Sequence, residues 1–221
     1  MQQNNTIPSF GIHPDRIKLL NDKSVNNGRY VLYWMQHAQR SEWNHALEYA
    51  AASAEHYNSG LLVVFCLDKE YPEAEQRHYR FMLEGLRDLA EALSKRNIRF
   101  AVLLGKPVEH IPELAKKAMV VVCDRAYLKH LRLWRKQIAE HCPCRFIQLE
   151  TDLIIPLESA SEKREYAART IRKKLSAQLP FFCCDFSRHE PAKKLRLSVD
   201  GESDLHEPNL LEGIPLLSDP R

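Results

Sequence analysis

Glycine is scarce: seven residues in 221, at positions 11, 28, 60, 85, 105, 201 and 213. Their spacing cannot make a G-x-G-x-x-G turn, so the usual dinucleotide fingerprint is missing. The chain also lacks a Walker phosphate loop, a G-x-S-x-G elbow and an H-E-x-x-H pair, which removes three common enzyme readings. No apolar run reaches the ~18 residues of a transmembrane helix. The opening MQQNNTIPSFGIHPDR has no basic segment leading into an apolar one, so it does not read as a secretory signal. A cytoplasmic location without membrane contact is expected. Charge of one sign is also lacking, with 32 basic against 29 acidic side chains and a net of +3. A nucleic-acid claim would have to rest on where the charges sit. Six cysteines are present, expected as reduced thiols in that compartment. CPC at 142–144 and CCDFSRH at 183–189 lack a second ligand pair at zinc spacing, so no metal site is expected.

What is present is an alternation. Five apolar runs, at 29–35, 61–67, 98–104, 119–124 and 144–150, are rich in Val, Leu, Ile and Phe. The middle ones are continuous, as strands buried on both faces are. Helical patterns separate them. Residues 41–58 start at Ser41 as N-cap and stripe Trp43, Leu47, Ala50, Ala54 and Tyr57. Residues 73–96 place Tyr79, Met82, Leu86, Leu89 and Leu93 at three- and four-residue steps, and 108–118 and 127–141 follow. This predicts an α/β fold with a doubly wound, five-stranded parallel sheet in the order 3-2-1-4-5.

Such sheets bind ligands beyond the carboxyl ends of their strands, where the strand order reverses. The crevice should then lie between the first and fourth strands. Trp34, Met35, Gln36, His37 and Arg40 would meet Asp124, Arg125 and Tyr127 there. Trp34 could line a planar ligand. Trp43 and Trp134 are expected in the core. Asp124 reads equally as a ligand contact or as the N-cap of the next helix.

The expected organisation is an N-terminal extension over 1–24, an α/β domain over 25–180, and a linker or disordered tail over 181–221. The tail loses periodicity and holds Pro191, Pro208, Pro215 and Pro220 among many acids. Its Leu210, Leu211, Ile214, Leu216 and Leu217 are candidates to cover an apolar face. A last helix is expected from Ser161 to about Gln178, ended by Pro180. In it Tyr166, Ala167, Thr170 and Ile171 should face the core.

Several blocks carry a family resemblance. KLLNDKSVNNGRYVLYWMQHAQRSEWNHALEYA, YPEAEQRHYRFMLEGL, VVCDRAYLKHLRLWR and ASEKREYAARTIRKKL occur in order over about residues 16–180. Together they resemble class II cyclobutane-pyrimidine-dimer DNA photolyases. The resemblance implies an N-terminal α/β antenna domain that can hold a deazaflavin-type chromophore. It also implies a separate helical domain with FAD, the electron-transfer tryptophans and the surface for damaged DNA. LHEPNLLEGIPLLSDPR resembles the interdomain linker, which places that helical domain outside these 221 residues. The chain would then act with that domain as partner, reach DNA only through it, and not repair DNA alone. Arg169 and Arg172 would meet an anionic group of the chromophore or carboxylates of the helical domain. Lys173 stands where members often carry Pro, which lets its helix run on. Two other readings stay open: a stand-alone nucleotide-binding or regulatory module of the universal-stress-protein-like group, and a ligand-free remnant. The first would favour a C-terminal G-x-x-G phosphate loop, and there is none.

Overall fold

The apolar runs become the middle of one sheet in the computed structural model, which describes residues 7–72 and 74–214. Strands β2 (Tyr30–Met35), β3 (Gly60–Leu67), β4 (Arg99–Leu104), β5 (Ala118–Asp124) and β6 (Arg145–Leu149) pair in parallel. A short strand β1 (Ile17–Leu19) pairs antiparallel with β6, Ile17 opposite Leu149. The sheet order is β1-β6-β5-β2-β3-β4. It is therefore a six-stranded mixed sheet, which corrects the expected five-stranded parallel sheet in the order 3-2-1-4-5. Setting β1 aside, the parallel neighbours run β6-β5-β2-β3-β4. The difference lies in residues expected to form an N-terminal extension. Three residues, half-buried Ile17 and Leu19 about an exposed Lys18, are too few to show a period. Arg16, just before β1, is buried and donates to the carbonyls of Glu150 (3.2 Å), Leu153 (2.9 Å) and Ile154.

Continuous burial along β2 and β3 follows from layers on both faces. On one face pack α1 (His45–His56) and α2 (Gln76–Lys95), with Leu47, Ala50, Leu86, Leu89 and Leu93 against Val31, Tyr33 and Val63. On the other lie α3 (Pro107–Ala115) and α4 (Lys129–His141), with Ile111, Ala115 and Ile138 against Leu32, Trp34, Val64 and Val121. Each such Leu or Ile taken out of water contributes about 1.5–3 kcal/mol. Gly28 allows close approach of the chain to β5. A Cβ there would stand 2.3 Å from the Ala118 carbonyl carbon.

Helix α1 starts later than Ser41. Asn44 is its cap, accepting from the Leu47 N–H at 3.0 Å. The same side chain donates to the carbonyls of Ala38 and Arg40 at 3.0 Å each, so it also shapes the turn after β2. Trp43, expected in the core, is 64 % exposed. It precedes the helix with φ of 51°, so the helical stripe does not reach it.

The chain after β6 departs most from expectation. Residues 161–167 are not helical. A single turn α5 (Leu157–Ala160) is followed by α6 (Ala168–Phe182), which carries Pro180 inside its last turn instead of ending before it. Tyr166, Ala167 and Thr170 are exposed, Tyr166 by 88 %. The face that packs is Leu175 and Phe182 on Ile155 and Ala160, with Ile171 half-buried.

Beyond α6, residues 183–214 form no helix or strand, yet they are not a loose tail. The Lys193 N–H donates to Ser59 O at 3.2 Å, and the Ser203 N–H donates to Val102 O at 2.8 Å. Leu103 and Glu202 form an antiparallel bridge at the β4 edge, which covers part of an otherwise open sheet edge. Leu195 lies so near Gly60 that a Cβ on the glycine would meet it at 2.9 Å. Leu205, Leu210 and Ile214 are buried on one face of the sheet with Leu211 packing partly against that cluster, and Val199 is buried on the other face. Leu216 and Leu217 lie outside the described residues. Among the described residues, no helix is long and apolar enough to cross a membrane. Nor do three or more His, Cys, Asp or Glu side chains there gather as metal ligands would.

Candidate functional site

Parallel strands leave their carboxyl ends to the loops that follow, and the loops after β2 and β5 part in opposite directions. Asp124, the last residue of β5, fixes the first of these loops. It is wholly buried and accepts from the backbone N–H groups of Gln36 (2.7 Å), His37 (2.6 Å) and Ala38 (3.0 Å). The Tyr33 hydroxyl adds a fourth bond at 3.1 Å. Neither expectation for Asp124 fits: it is not the cap of α4, whose N-cap is Leu128, and its oxygens point at backbone. Burial holds the Tyr33 hydroxyl pKa well above its ordinary value, with the Asp124 charge adding to that.

A cavity of about 430 Å³ opens beside this loop. Its floor is Trp34, Met35 and Gln36 at the end of β2 with Phe65, Cys66 and Leu67 at the end of β3. Tyr71 from the β3–α2 loop, Tyr79 and Met82 from α2, and Leu131 and Trp134 from α4 form its walls. His37, Asp68 and His78 bring polar atoms. Among the described residues, no Lys or Arg lines it. Burial raises the pKa of the Cys66 thiol and keeps it protonated. Gln36 is held from both ends, donating to Leu131 O at 3.0 Å and accepting from Arg135 Nη1 at 2.8 Å. Arg135 is buried, and that burial lowers its pKa. The His78 Nδ1 accepts from the Glu75 N–H at 3.0 Å, so the neutral ring keeps its proton on Nε2.

Of the eight expected site residues, Trp34, Met35, Gln36 and His37 line this cavity. Arg40, Asp124, Arg125 and Arg169 do not. Arg40 is engaged elsewhere, with Asp152 at 2.9 Å, the Thr151 carbonyl at 2.9 Å and the Trp43 carbonyl at 3.2 Å. Arg125 binds Glu158 at 2.7 Å and lies 3.4 Å from Glu150. That bond to Glu158 raises its pKa against the opposing effect of burial. The Tyr127 hydroxyl donates to Glu150, whose own pKa is raised, chiefly by burial. Arg169 sits exposed on α6. Trp134 is half-buried in the cavity wall instead of sealed in the core.

Two groups escaped the sequence reading. The β3 end, Tyr71 and Tyr79 lie beyond the second strand, whereas the switch-point rule points to the first and fourth; the same rule taken to the second strand reaches them. Asp152 was missed because a lone carboxylate after a strand carries no motif. It binds His37 Nδ1 at 2.6 Å as well as Arg40. Burial works against its charge, yet the bonds from His37 and Arg40 win and lower its pKa. The bond to Asp152 raises the His37 pKa, opposed by partial burial. The raised His37 contribution is complete below about pH 6.5, the ordinary histidine value, and is lost as pH rises through the folded value. The lowered Asp152 contribution is complete above about pH 3.9 and is lost as pH falls through its folded value. The stability difference between the parent chain and His37→Ala should therefore be flat from about pH 4 to about 6.5 and shrink above that. Urea midpoints measured across that range check it, and a difference that widens above pH 7 contradicts it.

The site can be set beside known proteins. The family model described as DNA photolyase matches residues 31–192. A deoxyribodipyrimidine photo-lyase of Methanothermobacter thermautotrophicus is 41 % identical over 172 residues, covering 77 % of this chain and 39 % of its own length. The one from Potorous tridactylus is 35 % identical over 82 % of this chain and 36 % of its own length. The one from Arabidopsis thaliana is 33 % identical over 84 % and 39 %. The chain thus spans well under half of these relatives. An archaeal photolyase from Sulfolobus tokodaii, solved with two FAD molecules, superposes with a TM-score of 0.56 at 18 % identity. That likeness covers 66 % of this chain and 34 % of the other, and it concerns the fold alone.

Proposed function

The chain belongs to the DNA photolyase family, and from that premise we propose that it is the light-harvesting α/β part of a class II cyclobutane-pyrimidine-dimer photolyase. The observation that carries this reading is the aromatic cavity at the ends of β2 and β3. Its volume of about 430 Å³ lies within the range of small-molecule pockets. A deazaflavin-type ring fits the residues present. It is planar, and the half-buried Tyr71 and Trp134 offer ring surfaces above a floor backed by the buried Trp34 and Tyr79. The polar atoms of Gln36, Asp68 and His78 suit its heteroatom edge. A phosphate-bearing ligand would find no lining Lys or Arg among the described residues, and no glycine-rich turn.

When bound, such a chromophore absorbs near-ultraviolet and blue light and passes the excitation to FAD. The chain's own residues do the seating. Asp124 holds the 36–38 backbone still, Arg135 and Leu131 O fix the Gln36 amide, and Trp134 and Met82 form an apolar wall. FAD binding and lesion recognition are assigned to the part of the relatives that this chain does not cover. The helical partner domain belongs there too. The stand-alone nucleotide-binding reading is not favoured, since the family match spans most of the chain.

Incubating the purified chain with a hydroxy-deazaflavin and then with FAD, each followed by gel filtration, tests this. Retention of the deazaflavin's visible absorbance with the protein is expected, and Met82→Trp, which fills the cavity, should abolish it. A protein peak without chromophore absorbance would sink the antenna reading. Cleavage of dimers in DNA by this chain alone under blue light would contradict the division of labour.

A further inference from the structure

Residues 161–175 carry six basic and two acidic side chains, a net of +4, against +3 for the whole chain. The entire positive excess of the protein sits in these fifteen residues. On α6 the packed face is Leu175 and Phe182. Arg169, Arg172 and Lys173 fall at three- and four-residue steps on the opposite side, and all three are exposed. Among the described residues none of these three side chains has a hydrogen bond or an ion pair. Some surface lysines elsewhere are paired, Lys95 with Glu91 at 2.9 Å, Lys116 with Glu113 at 2.7 Å and Lys136 with Glu140 at 4.0 Å, so what sets α6 apart is the clustering of three unpaired cations on one helix face.

The placement opposes helix stability. The first turn of α6 holds no acid, and its N-cap, Ala167, supplies no side-chain bond. Cations near a helix N-terminus oppose the macrodipole, and neighbours three and four apart repel. A polyanion would reverse both penalties.

We propose that this face of α6 grips the phosphate backbone of duplex DNA without reading its sequence. Arg169 and Lys173 are separated by about 6 Å along the axis, within reach of successive phosphates. Guanidinium forks match phosphate oxygens in pairs. Lys163 and Arg164 extend the patch, and the Arg164 guanidinium lies 5.5 Å from the exposed Tyr166 ring, whose hydroxyl is a further phosphate donor. The 169–172–173–176 row is wholly polar, with the exposed Tyr166 and Phe181 only at its flanks, which suits a phosphate backbone better than the apolar centre a lasting protein contact uses. This departs from the expectation that DNA is met only through the helical domain, and it is independent of the chromophore cavity.

The test is fluorescence anisotropy of an undamaged, mixed-sequence duplex with the 221-residue chain, from about 50 to about 200 mM salt. A slope of log K against log salt of about −4.5 is expected, as for about five neutralised phosphates. The combined Arg169→Gln, Arg172→Gln and Lys173→Gln variant should flatten the slope by about 3. Lys95→Gln, Lys116→Gln and Lys136→Gln together, an equal change of charge on paired sites, should keep it. Circular dichroism checks that both variants fold. The idea is overturned if the chain leaves the duplex unbound at low salt, if the control loses as much, or if polyglutamate competes as well as unlabelled DNA.

Discussion

Replacing Asp124 by alanine is expected to cost about 3–5 kcal/mol, since each buried donor left without an acceptor costs about 1–3 kcal/mol. The carboxylate serves three backbone N–H groups and a buried phenol at once. Gln36 and Ala38 are themselves buried, so water cannot replace the lost acceptor there. Asp124→Asn separates shape from charge. The amide fills the same space, but its NH₂ group would face N–H donors, so it should recover only part of the loss. The same variants should weaken chromophore retention, because Gln36 and His37 belong to both the Asp124-bound loop and the cavity. Urea denaturation gives the first quantity and gel filtration with a hydroxy-deazaflavin the second. An alanine variant within 1 kcal/mol of the parent chain would show that the loop holds its shape without Asp124.

That aspartate also marks the limit of what the sequence discloses. Its place at the end of a buried strand is legible, because the short, β-branched run Val120–Val121–Val122–Cys123 between helical patterns fits a strand buried on both faces. The partner loop is legible too, from the alternation of strands and helices and the side on which doubly wound sheets bind. The direction of the carboxylate is not. Nothing local tells Asp124 to reach across to residues 36–38 instead of capping α4 or meeting a ligand. Arg40 and Arg125 fail for the same reason: both stand beside the expected crevice, and both are claimed by carboxylates far along the chain, Asp152 and Glu158. Apolar positions fare better, since burial is imposed by pattern. Trp34 and Met35 are where the strand period puts them, whereas Trp43 lies outside its helix because Asn44 takes the cap. Residues 183–214 show the converse. They have no period to read because they pack as a strap, through backbone bonds to β4 and scattered leucines.

The strap leads to the other large effect. Glu48 on α1 and Arg96 at the end of α2 form a buried pair at 2.8 Å. Both also hold the strap: the Arg96 Nη2 donates to His189 O, and the His189 N–H donates to a Glu48 oxygen, each at 2.8 Å. Glu48→Ala leaves the buried guanidinium with only the exposed Glu190 carboxylate at 3.6 Å, and breaking a buried pair from one side costs about 3–5 kcal/mol. Replacing both partners, Glu48→Leu with Arg96→Met, should restore most of that loss, because the desolvation of two charges disappears with their attraction. The strap should not recover with it, since neither apolar side chain can meet the His189 backbone. Limited proteolysis across residues 183–192 should therefore be faster in both variants, while the urea midpoint falls only in the single one. If the double variant regains protease resistance along with stability, His189 is not what the pair holds, and the backbone bonds from Lys193 and Ser203 suffice to keep the strap on the sheet edge.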